Sequence, residues 1–289
     1  MRLAEIEADI ASMGELLDIV GAMRSLAGMR MHEAYRSLPG IRRYAATMAA
    51  AIGDALLMLP ERHAAGRPSP GRRALILCTA EHGFVRGFNA RVIDAADAVR
   101  ERGDTLLILG RRGAALARER GWTLGWAHGM ATRPEGVLEI IRRLGAEIYR
   151  SIARGHITGV EIIFIRQQQG STATIERRQL IPIDFASLRP QGAMSAPLHN
   201  LAPDLLLEKL VGDYVFAILT EAAVESLASE NSARFAAMGA AHDNVTKKLD
   251  ELRQEAHQAR QAEITEELLD LVTGVEAADR AGRPTDVIS

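Results

Sequence analysis

From Pro203 to Pro284 the chain contains no proline, and the residues between are dominated by Ala, Leu, Glu, Gln and Arg. These are strong helix formers. Pro203 suits the first helical position, where its missing amide has no partner to lose. The stretch predicts one helix from Pro203 to about residue 278, roughly 110 Å long at about 1.5 Å per residue. No compact domain of this size needs such an element, so the chain must use a long rod for its own sake.

A rod needs something to bury its apolar stripe against. In the C-terminal stretch Val245, Leu249, Leu252, Ala256 and Ala259 recur at steps of 4, 3, 4 and 3, and after one step of 5 the pattern resumes at Ile264, Leu268, Leu271 and Val275. At the other end of the chain Leu3, Ile6, Ile10, Met13, Leu17 and Val20 step by 3, 4, 3, 4 and 3. Both are coiled-coil seams. The alternative is an ordinary bundle in which each seam packs on its own neighbours. Two seams separated by a globular region pair most easily antiparallel. Pro39-Gly40 is expected to kink or interrupt the first helix, because proline cannot donate the helical hydrogen bond.

Between the rods, residues 61–73 are rich in Gly, Pro and Arg and read as a linker. Residues 74–188 alternate strand and helix signals. Residues 74–78, 105–109 and 160–165 read as strands, with helical patterns at 89–100, 114–120 and 136–152 between them. That order implies a small, mostly parallel sheet with helices on its faces. Residues 174–184 read as a further strand, placed at an edge by Pro182. The fold expected is α+α/β: a long antiparallel coiled coil of N- and C-terminal helices with a Rossmann-like α/β domain inserted. Its parts are a helix over 1–59, the sheet domain over 74–188, a helix over 203–280 and a tail over 281–289.

Composition removes several functional classes. The 35 basic and 37 acidic residues give a net charge of −2, unlike a generic nucleic-acid binder. Lys209, Lys247 and Lys248 are the only lysines, and Cys78 is the only cysteine, so no intrachain disulfide or cysteine-rich zinc site can form. A reducing, cytoplasmic setting follows. The N-terminus is acidic and lacks an apolar signal core, and the most apolar run, 45–59, is broken by Asp54 and too short to span a bilayer. Any membrane association must go through a partner. There is no GxxxxGK[ST] phosphate loop. The turns Gly83 to Gly87 and Gly110 to Gly113 read as connections in an α/β domain. The eight histidines form no HxH or HExxH pair. Glu81-His82 is the best acid/base candidate, and a small-ligand enzyme built on the sheet is the competing function. A second competitor is a coiled-coil adaptor.

Several segments carry a resemblance. Ala228-Ser229-Glu230-Asn231-Ser232-Ala233-Arg234-Phe235-Ala236-Ala237-Met238 resembles the ASEHxxRMxAM stretch of the γ-subunit family of F-type ATP synthases, and Asp243-Asn244 follows at the spacing of that family's DNA segment. Ala259-Arg260-Gln261-Ala262-Glu263-Ile264-Thr265-Glu266-Glu267-Leu268 is similar to its ARQAxITxEL motif, with Asp270 and Gly274 at matching positions. Ile19-Val20-Gly21-Ala22-Met23 resembles ITKAM, Gly83-Phe84-Val85-Arg86-Gly87-Phe88-Asn89 resembles GLCGGLN, and Gln179-Leu180-Ile181-Pro182-Ile183 resembles the family's LLP strand. The matches fall in the family's order. Departures mark a divergent member. Val275 replaces Ala, and Val85 and Arg86 replace a cysteine and a glycine. The first helix, lysine-rich in the family, carries Glu5, Glu7, Asp9, Glu15 and Asp18 against Arg2 over residues 1–18. Over 19–43 the sign reverses, with arginines 24, 30, 36, 42 and 43 against Glu33.

The resemblance implies a non-catalytic rotor shaft, free of cofactor, catalytic residue and metal. It would turn inside a hexamer of α and β subunits, touch the ε subunit and the ring of membrane c subunits, and couple proton or sodium translocation to ATP synthesis or hydrolysis. It implies no nucleic acid partner, and a peripheral place at the cytoplasmic face of a bacterial inner membrane. The residues it marks for contact with the β subunit or the rotor bearing are Met23, Arg24, Arg30, Arg260, Gln261, Ile264, Thr265, Glu266 and Leu268.

Overall fold

The computed structural model describes residues 3–59, 71–167, 172–189 and 199–281, with side chains as far as residue 275. Two long helices bracket the chain: α1 (Leu3–Leu56), and α6 (Pro203–Ala281). Between them come β1 (Arg73–Cys78), α2 (Phe88–Asp97), β2 (Thr105–Leu109), α3 (Arg111–Glu119), β3 (Trp126–His128), α4 (Pro134–Ala153), β4 (Gly159–Arg166), β5 (Thr174–Ile181) and the short α5 (Phe185–Leu188). Among the described residues no helix is long and apolar enough to cross a membrane. The chain divides into two compact units, Arg24–Ala237 and Met1–Met23 with Met238–Ser289. Most of the linker, and the tail beyond residue 281, lie outside the described residues.

The larger unit is built on a five-stranded sheet of order β3-β2-β1-β4-β5. Its pairings are parallel except β4 with β5, which is antiparallel. The strands are continuous apolar runs because both faces are covered. Leu75, Leu77, Leu106, Ile108, Ile163 and Ile165 face one layer with α2 and α3. The alternating set Ile76, Cys78, Leu107, Leu109, Ile162 and Phe164 faces the other, with α4 and with Ala34, Leu38, Leu219, Val224 and Leu227 of the long helices. Within this unit Arg24 stacks on Phe235, whereas Arg42, later in α1, bonds Glu221 and Glu225, earlier in α6. The two helices are therefore antiparallel.

α1 passes through Pro39 without interruption, contrary to the expected break. A mid-helix proline costs about 3 kcal/mol. Here both flanks are held by tertiary contacts: Ala34 and Leu38 are buried in the core, and Arg42 is clamped to two glutamates.

In the smaller unit the seams meet as the periodicity expects along part of their length. Ile6 and Val20 of α1 and Leu249 and Leu252 of α6 are buried, and Leu3, Ile10, Met13, Leu17, Val245, Ala256 and Ala259 are half-buried. Arg260 donates to Glu7 at 2.6 Å. Among the described residues the resumed pattern has no partner helix: Ile264, Leu268, Leu271 and Val275 are 51%, 57%, 66% and 64% exposed. The reason is antiparallel arithmetic. Glu7 already stands opposite Arg260, so α1 has little length left to cover residues beyond about 264.

Candidate partner-contact site

In an open α/β sheet a ligand usually sits outside the carboxyl ends of the strands, where the strand order reverses. In this sheet that point lies between β1 and β4, since β2 and β3 extend on one side and β5 on the other. The chain fills it with its own α6. Ser226 Oγ donates to the Cys78 carbonyl at 3.2 Å, at the end of β1. Arg234 donates to the carbonyls of Gly83 at 3.3 Å and His82 at 3.4 Å. The same guanidinium holds Asn231 Oδ1 at 3.1 Å and Glu230 Oε1 at 2.6 Å. The Glu230 carboxylate accepts the amides of Glu81 and His82, the role a ligand's anionic group would otherwise play. Burial raises the Glu230 pKa above the usual carboxylate range, against the opposing pull of Arg234 and these amides. The Ala228–Met238 motif is thus explained by packing: Ala228, Ser229, Glu230, Asn231 and Arg234 are all buried.

Glu81 and His82, the acid/base candidate, belong to this structural lock. Glu81 accepts the Met130 amide at 2.8 Å, the Arg111 amide at 3.2 Å and the Arg111 guanidinium. Burial alone would raise its pKa, but those donors outweigh it and hold the carboxyl below its ordinary value. The His82 pKa is lowered by burial and by Arg234. Beyond them the loop carries two non-glycine residues in left-handed backbone, Phe84 at φ 61° and Arg86 at φ 35°. Arg86 stands where the resembling motif has glycine, which adopts such angles freely. The Gly110 to Gly113 turn is also structural. A Cβ on Gly110 would lie 2.3 Å from the Thr79 carbonyl oxygen, so only glycine fits.

The residues marked for partner contact fall into two stations. On α1, Met23 and Arg24 are half-buried, and the Arg24 guanidinium lies 5.1 Å from the centre of the Phe235 ring. Arg30 is half-buried, and its buried Nε has no hydrogen-bond partner among the described residues. On α6, Arg260 is bonded to Glu7 rather than free. Gln261, Ile264, Thr265, Glu266 and Leu268 are exposed, with Thr265 Oγ1 donating back to the Gln261 carbonyl at 2.8 Å. Leu269 and Val272, which sequence reasoning did not single out, are 60% and 55% exposed and widen the apolar surface. Their i, i+3 spacing beside the seam was the available signal. Sequence reasoning also missed a second polar cluster. Arg42, Arg166 and Arg178, from α1, β4 and β5, converge on Glu221 and Glu225 of α6. A helix face carrying two glutamates four apart looks solvated in sequence.

The chain matches the family model described as ATP synthase over residues 2–278. It is 28% identical to the ATP synthase gamma chain of Saccharopolyspora erythraea, across 97% of this chain and 99% of that one. It is 29% identical to the ATP synthase gamma chain of Thermobifida fusca, across 93% of each. Its fold resembles a chain in the structure of the Euglena gracilis mitochondrial ATP synthase OSCP, F1 and c-ring, with TM-score 0.65, 11% identity and coverage of 99% and 98%. It also resembles a chain of the Tetrahymena thermophila mitochondrial ATP synthase central stalk and c-ring, with TM-score 0.56, 15% identity and coverage of 77% and 99%.

Proposed function

Because this chain belongs to the ATP synthase gamma-chain family, we propose that it is the central-stalk rotor of an F-type ATP synthase, turning inside a hexamer of α and β subunits. As a member of that family it is a non-catalytic subunit of the complex. The observation that carries the rotor reading is the free end of α6. Over residues 264–275 six large apolar side chains are more than half exposed, and among the described residues none has a partner helix. Viewed down the helix at about 100° per residue, they occupy one side, with Glu263, Glu266, Glu267 and Asp270 on the other. Exposed apolar surface of this kind marks an interaction site, and the inner wall of a surrounding collar would cover that apolar side.

Met23, Arg24 and Arg30 are assigned to the lower collar and Arg260, Gln261, Ile264, Thr265, Glu266 and Leu268 to the bearing. Arg30 supports its assignment through its unsatisfied Nε. The sheet unit is assigned to the ε subunit and the c-ring, and rotation couples proton or sodium flow to ATP synthesis or hydrolysis at the cytoplasmic face of the membrane. Occupation of the β1–β4 crevice by Glu230 and Arg234 favours this reading over an enzyme on the sheet. The test is co-expression with the α and β subunits. Copurification of all three supports the assignment. An α/β complex that forms and excludes this chain would overturn it. Truncation then tests the bearing residues. Removing 281–289 should leave ATP-driven ion pumping nearly intact, whereas removing 260–289 should weaken it. Normal pumping by the longer truncation would remove the bearing assignment.

A further inference from the structure

A cavity of about 540 Å³ opens at the carboxyl end of β4, beside the crevice that α6 fills. Its polar walls are His32, Arg36 and Arg42 of α1, Arg166 and Gln167 at the end of β4, and Glu225 of α6. Three guanidiniums thus surround one carboxylate. That carboxylate is 2% exposed and is the acceptor for Arg42. Arg166 reaches it only at 3.5 Å, an ion pair too long for a hydrogen bond, and its other contact is Glu176 at 3.9 Å. Arg166 Nε and Glu225 Oε2, the two atoms of that contact, are buried and face each other without a hydrogen bond. Arg36 and His32 make no ion pair among the described residues. The lining therefore sets three guanidiniums against one carboxylate, and its net charge is positive.

Planar guanidiniums grip oxyanions by paired hydrogen bonds. We propose that this cavity binds a phosphate-bearing small molecule, its phosphate held by Arg36, Arg42 and Arg166. The location agrees with the general preference of α/β sheets for ligands at strand carboxyl ends next to the point of reversal. The volume admits a nucleotide, and the Tyr35 ring, fixed by a 2.7 Å bond from its hydroxyl to the Gln167 carbonyl, and Leu38 offer an apolar wall. An acidic protein loop is the less favoured occupant, because the donors line a concavity rather than a face. The proposal stands on the larger unit's own geometry and does not depend on the rotor assignment.

The test uses the purified full-length chain and isothermal titration with inorganic phosphate and with ADP, at constant ionic strength set by chloride. Saturable binding of either supports the proposal. Equal affinity assigns an oxyanion site, and tighter ADP binding assigns a nucleotide site. Arg36→Gln removes a cation with no internal ion pair, so the fold should keep its thermal midpoint. Its affinity should drop about tenfold, equivalent to about 1.4 kcal/mol. Wild-type affinity in a folded Arg36→Gln chain would overturn the proposal. So would no binding of either probe, or binding of a polyglutamate peptide alone.

Discussion

Arg260 Nη2 donates to Glu7 Oε1 at 2.6 Å, and this pair marks the antiparallel register of the two helices close to the start of α1. Both side chains are about half exposed. Such pairs contribute less than about 1 kcal/mol and are screened by salt. The register itself rests on Ile6, Val20, Leu249 and Leu252. Cysteines at 20 should cross-link to cysteines near 245–249, and cysteines at 7 to those near 260. The reverse order, read by non-reducing gels, would contradict the antiparallel pair.

Arg234 is the hub of the lock at the β1–β4 crevice. Replacing it with methionine keeps bulk but leaves Glu230 buried without its cation and the His82 and Gly83 carbonyls without a donor. Breaking a buried pair in this way costs about 3–5 kcal/mol. Urea denaturation of Arg234→Met should show a loss of that order. A loss below about 1 kcal/mol would mean that the carboxylate is satisfied by the loop amides alone.

Arg86 holds φ at 35° where glycine would be unstrained. Arg86→Gly should raise stability by up to about 1 kcal/mol, the relieved strain being partly offset by the greater freedom of glycine in the unfolded chain. The measurement is the urea midpoint. A destabilised variant would show that the Arg86 side chain makes a contribution larger than the backbone strain.

Glu81 is held below its ordinary pKa in the folded chain, so its contribution is fully present at neutral pH and is lost as pH falls through the usual carboxylate range toward the folded value. Glu81→Gln should cost about 1–3 kcal/mol at neutral pH. The gap between variant and wild type should close on acidification. A gap constant with pH would place the effect in packing rather than charge.

Much of this fold was legible in sequence because its signals are long or periodic. The helix from Pro203, the two heptad seams, three parallel strands and the edge strand β5 all follow from proline placement, apolar spacing and continuous apolar runs. What was not legible depends on tertiary partners. The three-residue strand β3 has no period of its own. The helix survives Pro39 because Leu38 and Arg42 are anchored elsewhere. The seam at 264–275 looks the same in sequence whether or not a helix lies opposite it. Only the antiparallel register, marked by contacts such as Glu7 with Arg260, shows that it is bare. The Glu221 and Glu225 cluster, and the cavity beside it, required knowing that two strands bring arginines to one helix face.

The central claim is rotation inside the α/β hexamer. The direct measurement fixes that hexamer to a surface, attaches a probe to a cysteine substituted for the exposed Leu138 of the sheet unit, and records probe orientation during ATP hydrolysis. The expected result is unidirectional, stepwise rotation that stops when ATP is withdrawn. A hexamer that contains this chain and hydrolyses ATP while the probe stays fixed would contradict the account.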